Sequence, residues 1–408
     1  MAGCLEGIRV LELARFQAGP RCGMLFAELG AEVIKIEKIG GEENRSRAPV
    51  YKGQSLYFTV YNRGKKSITL DLYTDKGKGI FKELVKLADV VLENFRPGVM
   101  AKMGFGYEAL RAINPRIVLT SVSGFGQFGP DKHRGAFDNL GQAMSGLMHL
   151  TGSAFGRPIG TGSSIMDRIT SLNATIGTLA ALRYRDATGE GQVVDVCLLD
   201  SGLTLTEVSL GYYLLTGQSL NYTGHPVGPF VSADGGKTPP LPERWPWARQ
   251  AKDGWVSVGA ATNALNARLF RAIGRPELAD DPRYVGGGFG SGVEDPSLRE
   301  KVIDEWLQQN SVEDIVRVLE EAEVPCFPIL TVAQAAEHPH LKLREMMVEV
   351  EDKVSGRMFV PGRSIKFSKS PGPVGPVPVP GEHNDEVYGK LLHYSPDRIE
   401  ALRKEGVI

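Results

Sequence analysis

Short apolar runs alternate with amphipathic stretches through the first half of the chain. The runs are IRVLEL (Ile8 to Leu13), AEVIKIE (Ala31 to Glu37), Ser67 to Leu72, DVVLENF (Asp89 to Phe95) and RIVLTS (Arg116 to Ser121). They are short and mostly rich in β-branched residues, with turn-forming residues between them, which predicts strands. Cys22 to Leu29 and Lys76 to Leu87 space their apolar residues as helices do. Strand, helix, strand in that order calls for a parallel sheet. Continued to about residue 200, the alternation predicts an α/β fold with a doubly wound, Rossmann-like domain, whose ligands bind beyond the carboxyl ends of the strands. Gln17, Lys38 and Asn94-Phe95-Arg96 fall at such ends.

The longest helical pattern lies in GSSIMDRITSLNATIGTLAALRYRDATGEG, Gly162 to Gly191. Ile169, Leu172, Ile176, Leu179 and Leu182 form its apolar stripe, Arg183 and Arg185 its basic end, and Gly189 and Gly191 its stop. Asp167 stands in the first turn, where the helix dipole favours an ionised carboxylate. Such a carboxylate is a helix cap or a nucleophile, and the pattern alone leaves both open. QVVDVCLLDSG, after the glycines, reads as a further strand.

From about Gly217 the texture changes. Residues 224–246 are rich in Pro and Gly, Trp255 to Val258 is strand-like, and Ala264 to Ile273 and Ser297 to Asn310 look helical. After Pro325 come long excursions and short elements. Pro371, Pro373, Pro376, Pro378 and Pro380 predict a stiff extended segment, and Ser395 to Lys404 a terminal helix. The expected division is 1–225 for a large domain, 226–325 for a small domain and 326–408 for a C-terminal segment.

Composition narrows the function. A chain of 408 residues suggests two or three domains, and 42% hydrophobic with 23% charged residues can bury a large core. A net charge of −1 offers no global attraction for nucleic acid or an anionic membrane, so any anion site is local. Cys4, Cys22, Cys197 and Cys326 show no ligand or redox spacing and read as free thiols of a reducing cytoplasm. The N-terminal stretch lacks a signal-peptide pattern, and no apolar run approaches the roughly 20 residues that span a bilayer. A cytoplasmic protein without membrane contact is expected.

Three motifs are set aside. Gly124 to Gly129 spells GxGxxG after a strand, but Pro130-Asp131-Lys132 follow where a dinucleotide site needs a helix to open. No nicotinamide cofactor is expected. Gly236-Lys237-Thr238 looks like the end of a phosphate loop, but Val231 occupies the position of its earlier glycine. His338-Pro339-His340 has no partners at ligand spacing, so no metal is expected.

The pattern of Asp167, helix, arginines and TGEGQVVDV resembles the class III CoA-transferases, the family of formyl-CoA and carnitine CoA-transferases and of α-methylacyl-CoA racemases. ELADDPRY, VPCFPI, PGEHNDEVYGKLL and the closing EGVI also have counterparts there. The resemblance implies a homodimer of two interlocked, ring-like chains, with the large domain built from both chain ends. It makes Asp167 the covalent nucleophile and Gln17 the group that holds the reacting carbonyl. Phe16, Ala18, Lys38, Leu72, Asn94, Phe95, Arg96, Lys102 and Met103 would bind coenzyme A, with Lys38 at its nucleotide end. Tyr57, Phe137 and Asp138 would face the acyl group, and residues 233–238 lie where the family carries a glycine-rich flap. Phe137 departs from the tyrosine of the formyl-CoA enzymes, which argues for a less polar acyl pocket.

The function so implied is transfer of CoA from an acyl-CoA to a carboxylic acid. One alternative is an α-methylacyl-CoA racemase, but the segment around Phe137 lacks that branch's histidine and His133 lies four residues earlier. The other is a non-catalytic subunit paired with a paralogue. Arg15, Arg21, Arg45, Arg47 and Arg63 could each meet a second carboxylate, as of succinate.

Overall fold

A computed structural model describes residues 3–152, 158–217, 248–281, 283–284 and 296–408. Six strands form one parallel sheet: β1 (Arg9–Glu12), β2 (Glu32–Glu37), β3 (Lys66–Thr69), β4 (Val90–Glu93), β5 (Val118–Ser123) and β6 (Val193–Cys197). Their spatial order is β3-β2-β1-β4-β5-β6. The chain therefore winds outward from β1 in one direction, returns, and winds out in the other. Beyond the carboxyl ends of β1 and β4 this reversal is where such a sheet offers a crevice.

Both faces of the sheet are covered, which is why its strands read as nearly continuous apolar runs. The helices of this unit include α1 (Ala18–Glu28), α2 (Leu56–Asn62), α3 (Asp75–Lys86), α4 (Asp138–Met144), α5 (Ile165–Thr188) and α6 (Leu198–Leu203). On one face Ile80, Phe81, Leu84 and Val85 of α3 meet Leu11, Ile34, Ile68 and Val91. Val387, Tyr388, Ile399 and Val407 from the end of the chain complete that layer. On the other face Cys22 and Phe26 of α1, with Ala174, Ala181 and Leu182 of α5, meet Val10, Val33 and Val118.

The contact pattern divides the chain into two compact units. The larger comprises Met1–His149, Ile159–Gly211 and Pro339–Ile408, and the smaller Leu150–Pro158 and Tyr212–His338. In the smaller, β7 (Arg249–Gln250), β8 (Trp255–Val258) and β9 (Cys326–Pro328) pair antiparallel. Helices α7 (Asn263–Ala272), α8 (Pro296–Gln309) and α9 (Val312–Glu321) cover them through Phe270, Leu307, Ile315 and Leu319. The expected boundary at 225, the Pro- and Gly-rich stretch and the 233–238 segment lie outside the described residues.

Two expectations need correction. QVVDVCLLDSG is strand only as far as Cys197, whose sulfur then accepts the Asp200 N–H at 3.4 Å and caps α6. The segment after Pro325 holds an antiparallel hairpin, β10 (Met347–Asp352) with β11 (Gly356–Pro361). Asp352 accepts the N–H groups of Val354 and Ser355, and Gly356 closes the turn at φ +81°. The period-two alternation in VEVED and GRMFV is the signal that marks it.

Candidate active site

The carboxyl ends of all six strands open on one cavity of about 1360 Å³. Drug-sized ligands occupy roughly 300–1,000 Å³, so the volume suits a longer molecule. Leu13 and Arg15 to Ala18 after β1, Lys38 and Ile39 after β2, and Leu70 to Tyr73 after β3 contribute to its wall. Asn94 to Pro97 after β4, Ser123 at the end of β5 with Gly124, and Leu198 after β6 continue it. Gly160 to Ser164, with Asp167 and Arg168, complete it from the start of α5.

Of the residues singled out from the sequence, Phe16, Gln17, Ala18, Lys38, Tyr57, Leu72, Asn94, Phe95, Arg96, Met103, Phe137, Asp138 and Asp167 all line this cavity. Lys102 does not: it ends the short helix Val99–Lys102 on the exposed side, while Val99 and Met103 face the cavity. His133 is exposed and is not part of the wall either.

Two loops at the sheet reversal are bound together by one side chain. The Asn94 carboxamide accepts the Arg15 N–H at 2.8 Å and donates to the Arg15 carbonyl at 2.7 Å. Phe16, next in the chain, is held at φ +68°, a conformation that strains any residue but glycine. Asn44 secures it by donating to the Phe16 carbonyl at 3.0 Å. Gln17 then precedes α1, and its Nε2 donates to the Tyr61 hydroxyl at 2.9 Å in a buried contact. Tyr61 was not singled out from the sequence. Its signal is the spacing from Tyr57: four residues apart on α2, the two phenols share one helix face, and both line the cavity.

A buried charge cluster underlies the same turn. Lys35 on β2 reaches Glu12 on β1, its partner in register, at 3.1 Å, and Glu42 at 3.3 Å. Lys65 reaches Glu12 at 2.7 Å. The two ammonium groups also donate at 2.8 Å to the carbonyls of Ala14 and Pro20, one on either side of Gln17. Burial pulls the Lys65 ammonium down to about 8 against the upward pull of Glu12. Gly23 on α1 lacks a side chain where a Cβ would collide with the Glu12 carboxylate. The sequence signal is a charge in the middle of each apolar strand, VLEL and VIKIE.

Asp167 is the third residue of α5, in the first turn as expected, and the structure decides one open alternative and corrects one expectation. Its carboxyl is not the cap. Asp138, at the start of α4, accepts the Asp167 N–H at 3.0 Å with one oxygen and the Gln142 amide at 2.6 Å with the other. Nor is the Asp167 carboxyl held low by the helix. Burial pushes it up to about 7, the Asp138 carboxylate adds to the rise, and Arg47 and Arg168 oppose it. The anion at the helix N-terminus is thus Asp138, and its charge works against a second one beside it. The arrangement can hold a weakly solvated carboxyl that ionises near neutral pH, beside apolar rings of which Phe16 and Phe137 meet edge to face at 6.1 Å.

The GxGxxG loop has another use. The Gly126 N–H donates to the Ser123 hydroxyl and the Gln127 N–H to Asp195 at 2.8 Å, and no helix opens at Gly129. These amides are committed within the fold.

A doubly wound domain with a large cavity at its sheet reversal and a buried carboxyl in the wall defines an α/β protein built to take a sizeable ligand at its strand ends. The chain belongs to CoA-transferase family III, whose model matches residues 5–384. It is 35% identical to the succinyl-CoA–D-citramalate CoA-transferase of Chloroflexus aurantiacus, over 99% of this chain and 98% of that one. It is 37% identical to the formyl-CoA:oxalate CoA-transferase of Streptomyces avermitilis, over the whole of both chains. The crystal structure of a CAIB/BAIF family protein from Brucella suis superposes with a TM-score of 0.80 at 31% identity, covering 96% of this chain and 100% of that one. The protein is an enzyme that moves CoA between acyl-CoA thioesters and carboxylic acids. Among the described residues, no helix is long and apolar enough to cross a membrane.

Proposed function

We propose that transfer proceeds through covalent intermediates on Asp167. The ionised carboxylate attacks the thioester carbonyl, the carbon–sulfur bond breaks, and CoA leaves as thiolate from a mixed acyl-aspartyl anhydride. The thiolate attacks the aspartyl carbonyl, which releases the donor acid and leaves an aspartyl-CoA thioester. The acceptor carboxylate then attacks that thioester, and the thiolate returns to the acceptor's acyl carbon as Asp167 is freed. Gln17 would donate to the oxyanions that develop on the reacting carbonyls, a role that gains from an amide already held by Tyr61.

The observation that carries this reading is the Asp167 carboxyl, on the wall of a cavity of about 1360 Å³ and spared the capping role by Asp138. Coenzyme A would lie along Phe16, Ala18, Leu72, Phe95 and Met103, with Lys38, Arg96 and Arg15 near its phosphates. Lys102 is left as a solvated lysine. Racemisation would need a second base, and among the described residues no histidine lines the cavity. The interlocked homodimer, with the large domain built from both chain ends, suits the bare apolar side chains of Leu172 and Ile176 on α5 and of Leu214 and Leu215 on the helix Glu207–Thr216.

The covalent route has a direct test. Incubation with acyl-CoA and no acceptor should leave Asp167 as an anhydride or thioester, both activated carboxyls. Hydroxylamine should then convert it to a hydroxamate and borohydride should reduce the thioester to an alcohol, each found by peptide mapping only after exposure to acyl-CoA. An active preparation that shows neither mass change would exclude the mechanism.

The carboxyl pair sets a pH dependence. Because the ionised form attacks, kcat/KM for acyl-CoA should rise with pH through about 7. Asp138→Asn keeps an oxygen to accept the Asp167 N–H but removes the neighbouring charge, so the midpoint should move to lower pH. A midpoint that stays in place or climbs would mean the two carboxyls do not interact in the active enzyme.

A further inference from the structure

Five arginines in the first third of the chain could meet a second substrate carboxylate, and the structure separates them. Arg45 is bound to Glu37 at 2.6 Å and Arg63 to Glu28 at 2.5 Å. Arg21 donates to the Ser171 hydroxyl at 2.6 Å and is not part of the cavity wall. Arg15 lines the cavity but lies over Phe95 and shares Glu43 with Lys38. Arg47 lines the cavity with its guanidinium unspent: among the described residues it has no ion pair and no side-chain hydrogen bond. Its field reaches Asp167, yet no ion pair joins the two.

Arg47 is exposed, but its surroundings hold it in place. The turn before it, Glu43–Ser46, is fastened from both ends. Glu37 accepts the Glu42 N–H at 2.9 Å and the Arg45 guanidinium, and Asn44 donates to the Phe16 carbonyl. The Arg47 guanidinium then lies over the Tyr57 ring at 4.7 Å from its centre. A contact with the ring uses no N–H donor, so the guanidinium keeps its paired N–H groups for an anion. Those groups are the part that grips a carboxylate in two-point fashion. The apolar rings of Phe16 and Phe137 line the same cavity.

We propose that Arg47, backed by Tyr57, is an anion subsite that selects acyl groups carrying a second, distal carboxylate, so that the preferred donors and acceptors are dicarboxylic. The proposal rests on the transferase reading of the cavity. In it the acyl chain runs from Asp167 along the phenylalanine rings and its far carboxylate meets Arg47. A monocarboxylic chain of equal length leaves the guanidinium facing water and gains nothing from it.

Identity exchange tests this without a choice of acceptor. Carbon-13 succinate should exchange into succinyl-CoA, and carbon-13 butyrate into butyryl-CoA, each read by mass spectrometry with the same purified enzyme. The wild type should favour the succinyl pair. Arg47→Gln should lower the ratio of succinyl to butyryl kcat/KM by roughly 30- to 100-fold, as for a lost charge-assisted contact. Arg47→Lys, which keeps the charge but not the fork, should restore part of it. A ratio within twofold of wild type in Arg47→Gln, with both exchanges still running, would overturn the subsite. A wild type that exchanges butyrate but not succinate overturns it too and leaves CoA transfer standing. A wild type that exchanges neither overturns the subsite as well, and hydroxylamine trapping at Asp167 then decides separately whether the covalent reading stands.

Discussion

Asp167→Ala should fold and lose CoA transfer by roughly four orders of magnitude or more, as removal of a covalent nucleophile does. Asp167→Asn should do the same, although its amide can revert by deamidation, which makes alanine the cleaner variant. The same substitution should change stability in the opposite sense. The carboxyl is pushed up to about 7 by burial and by Asp138, against roughly 3.9 in an unfolded chain. A carboxyl raised by folding is costless below its unfolded value; its penalty grows as pH climbs through the gap and is complete above the folded value. Asp167→Ala should therefore melt above wild type at pH 8, and the difference should shrink towards pH 5. Thermal melts at the two pH values, run beside the transfer assay, check both halves. Substantial transfer in the freshly purified alanine variant would remove Asp167 from the mechanism, whatever the melts show.

Glu12→Gln should be the most damaging change outside the cavity wall. Glu12 is fully buried and is the shared counterion of Lys35 and Lys65. A glutamine of the same shape can accept a hydrogen bond but leaves the two ammonium groups to Glu42, at 3.3 Å from Lys35, and to the weaker pull of Glu37, which is itself paired with Arg45. Breaking a buried pair in this way costs about 3–5 kcal/mol, because the charge left behind has lost both water and partner. The lysines also fix the Ala14 and Pro20 carbonyls, so the turn that carries Phe16 and Gln17 should loosen. A lowered urea midpoint, together with lost transfer in whatever enzyme stays folded, is the expected pair of results. An unchanged midpoint would show that the cluster carries no net stability.

The sheet was legible because a parallel strand buried on both faces needs no polar alternation, and IRVLEL, AEVIKIE and RIVLTS say so directly. Asp167, Gln17 and the Asn94 segment were legible through local motifs, since each sits in the few residues that follow a strand or begin a helix. What could not be read is what depends on distance between separated segments. Asp138 and Asp167 are 29 residues apart, and only the approach of α4 to α5 turns the first into the cap of the second. The unspent state of Arg47 is equally invisible, because it follows from where the carboxylates of its neighbours went. The place of Lys102 was hidden for a simpler reason: it ends a four-residue helix on the exposed side, while Val99 and Met103 line the wall. The hairpin after Met347 was written in its alternation and was passed over among prolines and glycines.

The Asn94 carboxamide has a consequence for how this site can diversify. Surface loops are ordinarily where related chains gain and lose residues, because the scaffold beneath tolerates it. Here one side chain clasps the main chain of Arg15 by both its N–H and its carbonyl. An insertion on either side would slide one loop past the other and break both contacts at once, displacing Phe16 and Gln17 along with Phe95 and Arg96. Length variation is thereby denied to two walls of the cavity. New acyl groups are then accommodated by exchanging side chains there, or by lengthening the stretch from Gly160 to Ser164, which lies outside that clasp and is tied to α4 through the Thr161 N–H and the Gln142 side chain at 2.9 Å.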